Sequence, residues 1–308
     1  MSHHLVVGAG LIGTSLTRHL LDRGDQVTLA SRSGTQLPGA EAVRLDASDA
    51  DALALAANGA ETIFLVTNPR EYHRWPELWP PVFHAAIDAA RRSSARLVIM
   101  GNLYAYGESS IMPMTEHGPL LTTEAKGLVR KAGWELAKAA HDRGEIQAVE
   151  VRASDYFGPG AEKTAQLGAA FFRPVMAGKA TRVFGSTTEP HSWTYVPDIV
   201  STLAAAADYR GDWGRAWHVP TAEPLSRQQI ARQVNELTGS RGSVAPMPEW
   251  FLRALGLVVP LIRAANDSLY QFTRPFVIDA SETERLLGVH ATPWEESLPA
   301  TVNWYRSH

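Results

Sequence analysis

Gly8, Gly10 and Gly13 stand in the spacing G-x-G-x-x-G directly after the apolar run Leu5, Val6 and Val7, and Ile12, Leu16 and Leu20 then recur four apart. Between a strand and an amphipathic helix, such a loop can hold phosphate without a charged side chain. The first glycine allows a tight turn, the second lets a diphosphate approach the backbone, and the third lets helix and strand pack closely. Leu11 and Ile12 open the helix, so their N–H groups and the positive end of its dipole face the anion. The expected ligand is a dinucleotide.

Nineteen residues past Gly13 the second strand ends in Ser31, Arg32 and Ser33. A carboxylate there would take the ribose 2′-hydroxyl of NAD, whereas a guanidinium suits the 2′-phosphate of NADP. NADP is therefore expected ahead of NAD; the competing reading of Arg32 is a solvated loop arginine. Asp46, ending the third strand, has two equal readings: a partner for the adenine amino group, or a cap for the next helix. Thr67, Asn68 and Ala153, at later strand ends, are also assigned to the cofactor.

The elements that must position these residues alternate. Strands are expected at 5–7, 26–30, 42–45, 62–67, 96–100 and 147–152, with helices at 48–57, 82–92 and 122–141 between later pairs. Ser48 stands three before Asp51, Ser226 three before Gln229 and Ser281 three before Glu284, each a capping-box spacing. Alternation of this kind predicts an α/β fold: a Rossmann, doubly wound parallel sheet with a smaller, interleaved C-terminal α/β substrate lobe. The Rossmann part is placed at 1–158 plus about 191–222, and the substrate lobe at about 159–190 plus 223–308.

Composition narrows the chemistry. Of 308 residues, 45% are hydrophobic and 20% charged, enough for a large core and too apolar for disorder. Lys and Arg number 29 against 32 Asp and Glu, so nucleic acid and anionic membranes are not expected partners. With no cysteine, disulfides, thiolate metal sites and cysteine nucleophiles are excluded. The histidines show no ligand spacing, and no metal site is expected. The apolar stretch at 255–262 is interrupted by Gly256 and Pro260 and is far short of the ~20 residues a membrane span needs. No signal peptide is expected before the first strand, and the absence of cysteine fits a reducing cytoplasm as the expected compartment.

Three further segments carry a resemblance. RLVIMGNLYAYG over 96–107 resembles a fifth strand followed by an S-S-x-x-V-Y-G turn. VRASDYFGP over 151–159 resembles R-P-x-N-x-Y-G-P, and SWTYVPD over 192–198 resembles R-D-F-V-H-V-D-D. With the glycine loop, they make the chain similar to the extended or atypical short-chain dehydrogenase/reductase superfamily of NAD(P)-dependent epimerase/dehydratase type. The resemblance implies hydride transfer through a nicotinamide and a homodimer formed by the helices at 82–92 and 122–141.

It also implies a Ser or Thr that orients the substrate and a Tyr and Lys in Y-x-x-x-K. Here Asn102 takes the first place. Setting Lys131 and Glu135 on the family's K-x-x-x-E puts Gly127 in the tyrosine's place, so the catalytic tyrosine is absent in this register. Lys126, Arg130 and Lys131 load cations where a helix dipole disfavours them, so one of them is expected to meet the cofactor ribose. Lys131 is chosen by register, with Arg130 and Lys126 as rivals. Tyr104, two past Asn102, would share its side of an extended segment and could supply the proton. Tyr156, His191 and Trp193 are expected on the substrate. His191 replaces the arginine that holds the diphosphate in family members using nucleotide-sugars, and a histidine lacks that bidentate fork.

The nine tryptophans, among them Trp75, Trp79, Trp193 and Trp250, fit an aromatic-lined pocket for a less polar compound. The expected function is an NADP-dependent oxidoreductase or epimerase-like enzyme acting on a small carbonyl or hydroxyl compound. The alternative is a catalytically inactive NAD(P)-binding sensor. An ordinary sugar epimerase is disfavoured by the departures at Asn102 and Gly127.

Overall fold

The computed structural model describes residues 1–162, 165–248 and 268–308; Trp250 and the stretch 255–262 lie outside the described residues. Six strands come first: β1 (His3–Val7), β2 (Gln26–Ser31), β3 (Glu41–Arg44), β4 (Thr62–Leu65), β5 (Arg96–Asn102) and β6 (Ala148–Ala153). Short strands β7 (Tyr156–Phe157), β8 (Ala180–Val183) and β9 (Thr194–Tyr195) follow before the chain returns as β10 (Ala216–His218). The main sheet is parallel and runs β10-β6-β5-β4-β1-β2-β3. Strand order reverses at β1, which pairs with both β2 and β4. In open α/β sheets ligands bind beyond the carboxyl ends of strands at such a switch point.

Both faces of this sheet are covered, which is why β4 and β6 are buried along their whole lengths. Helices α1 (Leu11–Asp22), α2 (Ala50–Ala56), α3 (Trp75–Ser93) and α4 (Ala125–Asp142) lie between the early strands. Leu53 of α2, Trp79 and Phe83 of α3 and Trp134 of α4 share one core with Leu5, Ile63 and Leu97. Further on come α5 (Ala169–Met176), α6 (Val196–Asp208), α7 (Arg227–Thr238), α8 (Ser281–Leu287) and α9 (Trp294–Ser307). Ile199 and Leu203 of α6 join Leu16 and Leu20 of α1 on the opposite face. A separate cluster brings Phe171 and Phe172 of α5 together with Ile230 of α7 and Leu298 of α9.

Three local expectations are corrected. Helix α3 starts at Trp75, seven residues before the expected 82, although Pro80 and Pro81 lie inside it. Trp75, Trp79, Val82 and Phe83 form one buried stripe, and burying side chains of that size stabilises by roughly 1.5–3 kcal/mol each. That exceeds the loss of two donors in the opening turns. Helix α2 is capped by Asp49, whose carboxylate accepts from the Ala52 N–H at 3.0 Å, because Ser48 turns its hydroxyl to Asp46. In α8, Ser281 is the first helical residue and gives its N–H to Asp279 Oδ1 at 2.8 Å. The box at Ser226 and Gln229 forms as read, opening α7.

One phenol ties strand ends together. Arg152 donates from Nε to Glu150 at 2.7 Å and from Nη1 to the Tyr106 hydroxyl at 2.8 Å. That hydroxyl lies 2.6 Å from His218 Nε2 and 2.9 Å from the Thr115 carbonyl. His218 Nδ1 meets the Asp279 carbonyl at 2.8 Å and so must be the protonated nitrogen. Burial pushes the ring down to about 3, which keeps it neutral and leaves Nε2 as an acceptor. Among the described residues no helix is long and apolar enough to cross a membrane.

Candidate functional site

The glycine loop is built by close approach. Gly8 has φ +120°, and a Cβ there would stand 2.7 Å from the Thr67 backbone. At Gly13 a Cβ would meet the Gly8 carbonyl oxygen at 1.8 Å. Gly10 differs: nothing lies within 4 Å of where its Cβ would be. No side chain caps α1, so Leu11 and Ile12 present their N–H groups beside that opening. The loop therefore fits a diphosphate, with two glycines fixing its shape and the third leaving room.

Around it, the other cofactor candidates divide. Ser31 Oγ accepts from the Thr35 N–H at 3.0 Å, and Arg44 donates to the Arg32 carbonyl at 3.1 Å. These bonds fix the loop backbone while the Arg32 side chain stays exposed beyond β2. Asp46 Oδ1 accepts from the Ser48 N–H at 2.9 Å and its hydroxyl at 2.7 Å, which holds the carboxyl below the usual carboxylate range. These bonds make a local turn ahead of Asp49, which caps α2 in its place. Thr67 packs its backbone on Gly8, and Asn68 reaches the Tyr72 hydroxyl at 3.4 Å. Ala153 is buried, in register with Asn102.

Asn102 closes β5, and its Oδ1 accepts from the Tyr104 N–H at 3.1 Å. Tyr104 is thus in a turn and not in a continuing strand; a side-chain bond to the backbone, not strand periodicity, joins the two residues. Burial pushes the Tyr104 phenol well above its ordinary range, and the Asp155 charge and the neighbouring Tyr72, Tyr270 and Tyr156 push the same way. At neutral pH it stays a phenol and a weaker acid than an exposed tyrosine, so giving up its proton needs a nearby cation to stabilise the phenolate.

Helix α4 settles which cations face inward. Lys126 and Arg130, one turn apart, are buried on the same face as Gly127 and Gly133. Lys126 Nζ lies 5.3 Å from the Tyr104 ring and 6.0 Å from that of Tyr72. The Arg130 guanidinium stacks 4.5 Å from Trp79 and donates to the Met100 carbonyl on β5. Lys131, the residue chosen by register, turns away: its ammonium binds the Leu120 carbonyl at 2.9 Å and lies 3.9 Å from Glu135. Gly127 has no room for any side chain, since a Cβ would meet Thr122 Oγ1 at 1.9 Å and the Tyr104 carbonyl at 2.5 Å.

The expected substrate residues also separate. Tyr156 lies on β7, paired with Thr194. Trp193 belongs to the core: it is fully buried, and its indole donates to the Leu225 carbonyl at 2.8 Å. His191 is buried too, its ring 5.2 Å from both Phe272 and Phe276 and 4.1 Å from Trp193. Its Nδ1 meets the Gln271 carbonyl and its Nε2 meets Asp155 Oδ2, each at 3.1 Å. Asp155 was not among the sequence candidates. Its signal is a carboxylate in ASDYFGP where the resembling motif has asparagine.

A profile of the NAD dependent epimerase/dehydratase family matches residues 4–219. The chain is similar to a 3 beta-hydroxysteroid dehydrogenase/Delta 5-->4-isomerase of Mycobacterium tuberculosis, 26% identical over 260 residues, covering 76% of this chain and 68% of the relative. It is similar to the UDP-glucose 4-epimerase of Mycolicibacterium smegmatis, 24% identical over 261 residues, covering 77% and 82%. Among solved structures, UDP-glucose 4-epimerase of Thermotoga maritima with UDP-glucose superposes with a TM-score of 0.81 at 17% identity, covering 99% of each chain. The dTDP-glucose 4,6-dehydratase of Bacillus anthracis, in complex with NAD, gives 0.80 at 15% identity, covering 100% and 97%.

Proposed function

The chain belongs to the NAD dependent epimerase/dehydratase family, and on that premise we propose that it is an NADP-dependent oxidoreductase or epimerase-type enzyme acting on a small carbonyl or hydroxyl compound. What carries this reading is the convergence of the open Gly10 turn with the Asn102–Tyr104–Lys126 group at the carboxyl ends of β1 and β5. The nicotinamide, when bound, exchanges a hydride with a carbon of the substrate. Leu11 and Ile12 offer N–H groups to the diphosphate, and exposed Arg32 supplies a guanidinium for a 2′-phosphate.

The remaining chemistry falls to this chain's own side chains. Asn102 spends its amide oxygen on the Tyr104 N–H, leaving the NH₂ end to orient a substrate oxygen. Tyr104, held as a phenol, gives a proton to a carbonyl oxygen as it gains charge. The Lys126 ammonium beside the ring stabilises the phenolate that remains. Lys126 and Arg130 have the i, i+4 spacing of the family's Tyr and Lys, and we assign them to that face in place of Gly127 and Lys131.

The second reading is an NAD(P)-binding sensor. It is favoured by the fixed backbone partners of two of the three cations that open α4, Arg130 on Met100 and Lys131 on Leu120. Titrating NADPH and NADH by fluorescence, then following reduced nicotinamide by absorbance against a panel of ketones and secondary alcohols, separates the readings. NADPH binding with turnover on a panel member is the expected result. Tight NADPH binding with no turnover anywhere would transfer the assignment to the sensor.

A further inference from the structure

Tyr72, Trp75, Trp79 and Phe83 recur three and four residues apart, so the turn at Tyr72–Arg74 and the helix α3 that follows it carry them on one side. Their rings meet in order. Tyr72 stacks on Trp75 with centroids 4.6 Å apart, Trp75 meets Trp79 edge-on at 5.9 Å, and Trp79 stacks on Phe83 at 4.8 Å. The Trp75 indole anchors the row to the chain before it by donating to the Pro69 carbonyl at 2.9 Å.

Helix α4 lays its two buried cations against this row. The Arg130 guanidinium lies 4.5 Å from Trp79 and 5.8 Å from Phe83. One turn earlier, the Lys126 ammonium faces two rings, Tyr72 at 6.0 Å and Tyr104 at 5.3 Å, and Tyr104 is itself 6.1 Å from Trp75. Aromatic residues that the sequence alone assigned to a pocket thus seat cations. Lys126 needs such a seat. It is the second residue of α4, where the positive end of the helix dipole and burial both disfavour an ammonium. A ring face attracts a cation through its quadrupole, and the attraction grows where water is excluded.

Tyr72 has a second tie. Its hydroxyl accepts from the Asn68 amide at 3.4 Å, next to Thr67, whose backbone crowds Gly8. One side chain therefore touches both the segment that shapes the glycine loop and the cation beside Tyr104. We propose that Tyr72 is a positioning residue. Its ring face holds the Lys126 ammonium against Tyr104, from a segment whose place is set by the glycine loop. The proposal rests on reading Lys126 as the cation that stabilises the Tyr104 phenolate.

The test compares the full chain with Tyr72→Phe, which keeps the ring, and with Tyr72→Leu and Tyr72→Gln, which remove it, thermal melts confirming folding. In protein labelled with ¹³C-lysine, the Lys126 ε-methylene resonance is identified by its loss in Lys126→Met. Ring currents are expected to place it upfield of exposed lysines such as Lys138 in wild type and Tyr72→Phe, and the ringless variants to move it toward them. With NADPH and the ketone or alcohol that is turned over, the ringless variants are expected to lower kcat about tenfold, with the KM for NADPH unchanged and Tyr72→Phe retaining the rate. Added to Lys126→Met, they should cost nothing further. A Lys126 resonance that lies among those of exposed lysines in wild type, or that stays in place when the ring is removed, overturns the proposal. So does an equal loss of kcat with Lys126 already absent. Absence of turnover in every protein would sink the functional reading instead, and the resonance would still decide whether Tyr72 holds Lys126.

Discussion

A β-carbon on Gly127 would stand 1.9 Å from the hydroxyl of Thr122, so α4 and the loop before it are locked together at that point. Two effects compete when the glycine is replaced. Alanine gains up to ~1 kcal/mol of helix propensity, while forcing atoms into a filled space costs about 1–3 kcal/mol. Overpacking wins here because Thr122 and the Tyr104 backbone both stand in the way. Gly127→Ala is expected to lower the urea midpoint, and Gly127→Tyr to disrupt folding without adding turnover.

On the proposed reading, cofactor choice turns on Arg32. Arg32→Ala is expected to weaken NADPH by about 1.5–3 kcal/mol, roughly ten- to hundredfold, and to leave NADH unchanged. Fluorescence titration of both cofactors reads this directly. A parallel loss for NADH would mean that the variant disturbs the loop held by Ser31 and Arg44, not a phosphate contact.

Lys126 and Lys131 are five positions apart and should behave as opposites. Lys126→Met preserves much of the side-chain volume and removes the ammonium beside Tyr104; kcat is expected to fall about a hundredfold with NADPH affinity kept. Lys131→Ala loses a half-exposed contact with Leu120 and Glu135, for which under about 1 kcal/mol of stability and no change in kcat are expected. Reversal of that pattern in steady-state kinetics would return the catalytic role to Lys131.

His218 sets an acid limit. Burial holds the folded ring at about 3, whereas the unfolded ring titrates near its ordinary value of about 6.5. Between those values the unfolded chain binds the extra proton, so this contribution is present above about pH 6.5 and is lost as pH falls toward 3. The slope is at most about 1.4 kcal/mol per pH unit. Urea midpoints measured across this range should fall less steeply for His218→Gln than for wild type.

What was legible in the sequence was what is local. The glycine turn and the start of α1 read correctly because both are set by neighbours within one βα unit. The Ser226 box reads correctly for the same reason. At 48–51 two candidate caps lie side by side, and Asp49 prevails only because Asp46 captures the Ser48 hydroxyl. In α4 the run KGLVRK offers two i, i+4 pairs, 126/130 and 127/131. Sequence spacing alone cannot choose between them. The choice is made by the Met100 carbonyl, the Trp79 face and the crowding at Gly127, all contributed by other elements. Asp155 escaped notice because its partner lies 36 residues away.

The Tyr106 hydroxyl joins stretches of chain that are far apart in sequence: Arg152 on β6, His218 on β10 and the Thr115 loop, with Asp279 following through His218. None of these can swing open without stranding a buried polar group in another, a penalty of about 1–3 kcal/mol each. They should therefore exchange their amide hydrogens as one cooperative unit with a shared opening free energy. The chain at Asp279 would then be timed by the sheet, and the floor beneath Asn102 and Tyr104 would open only together with it.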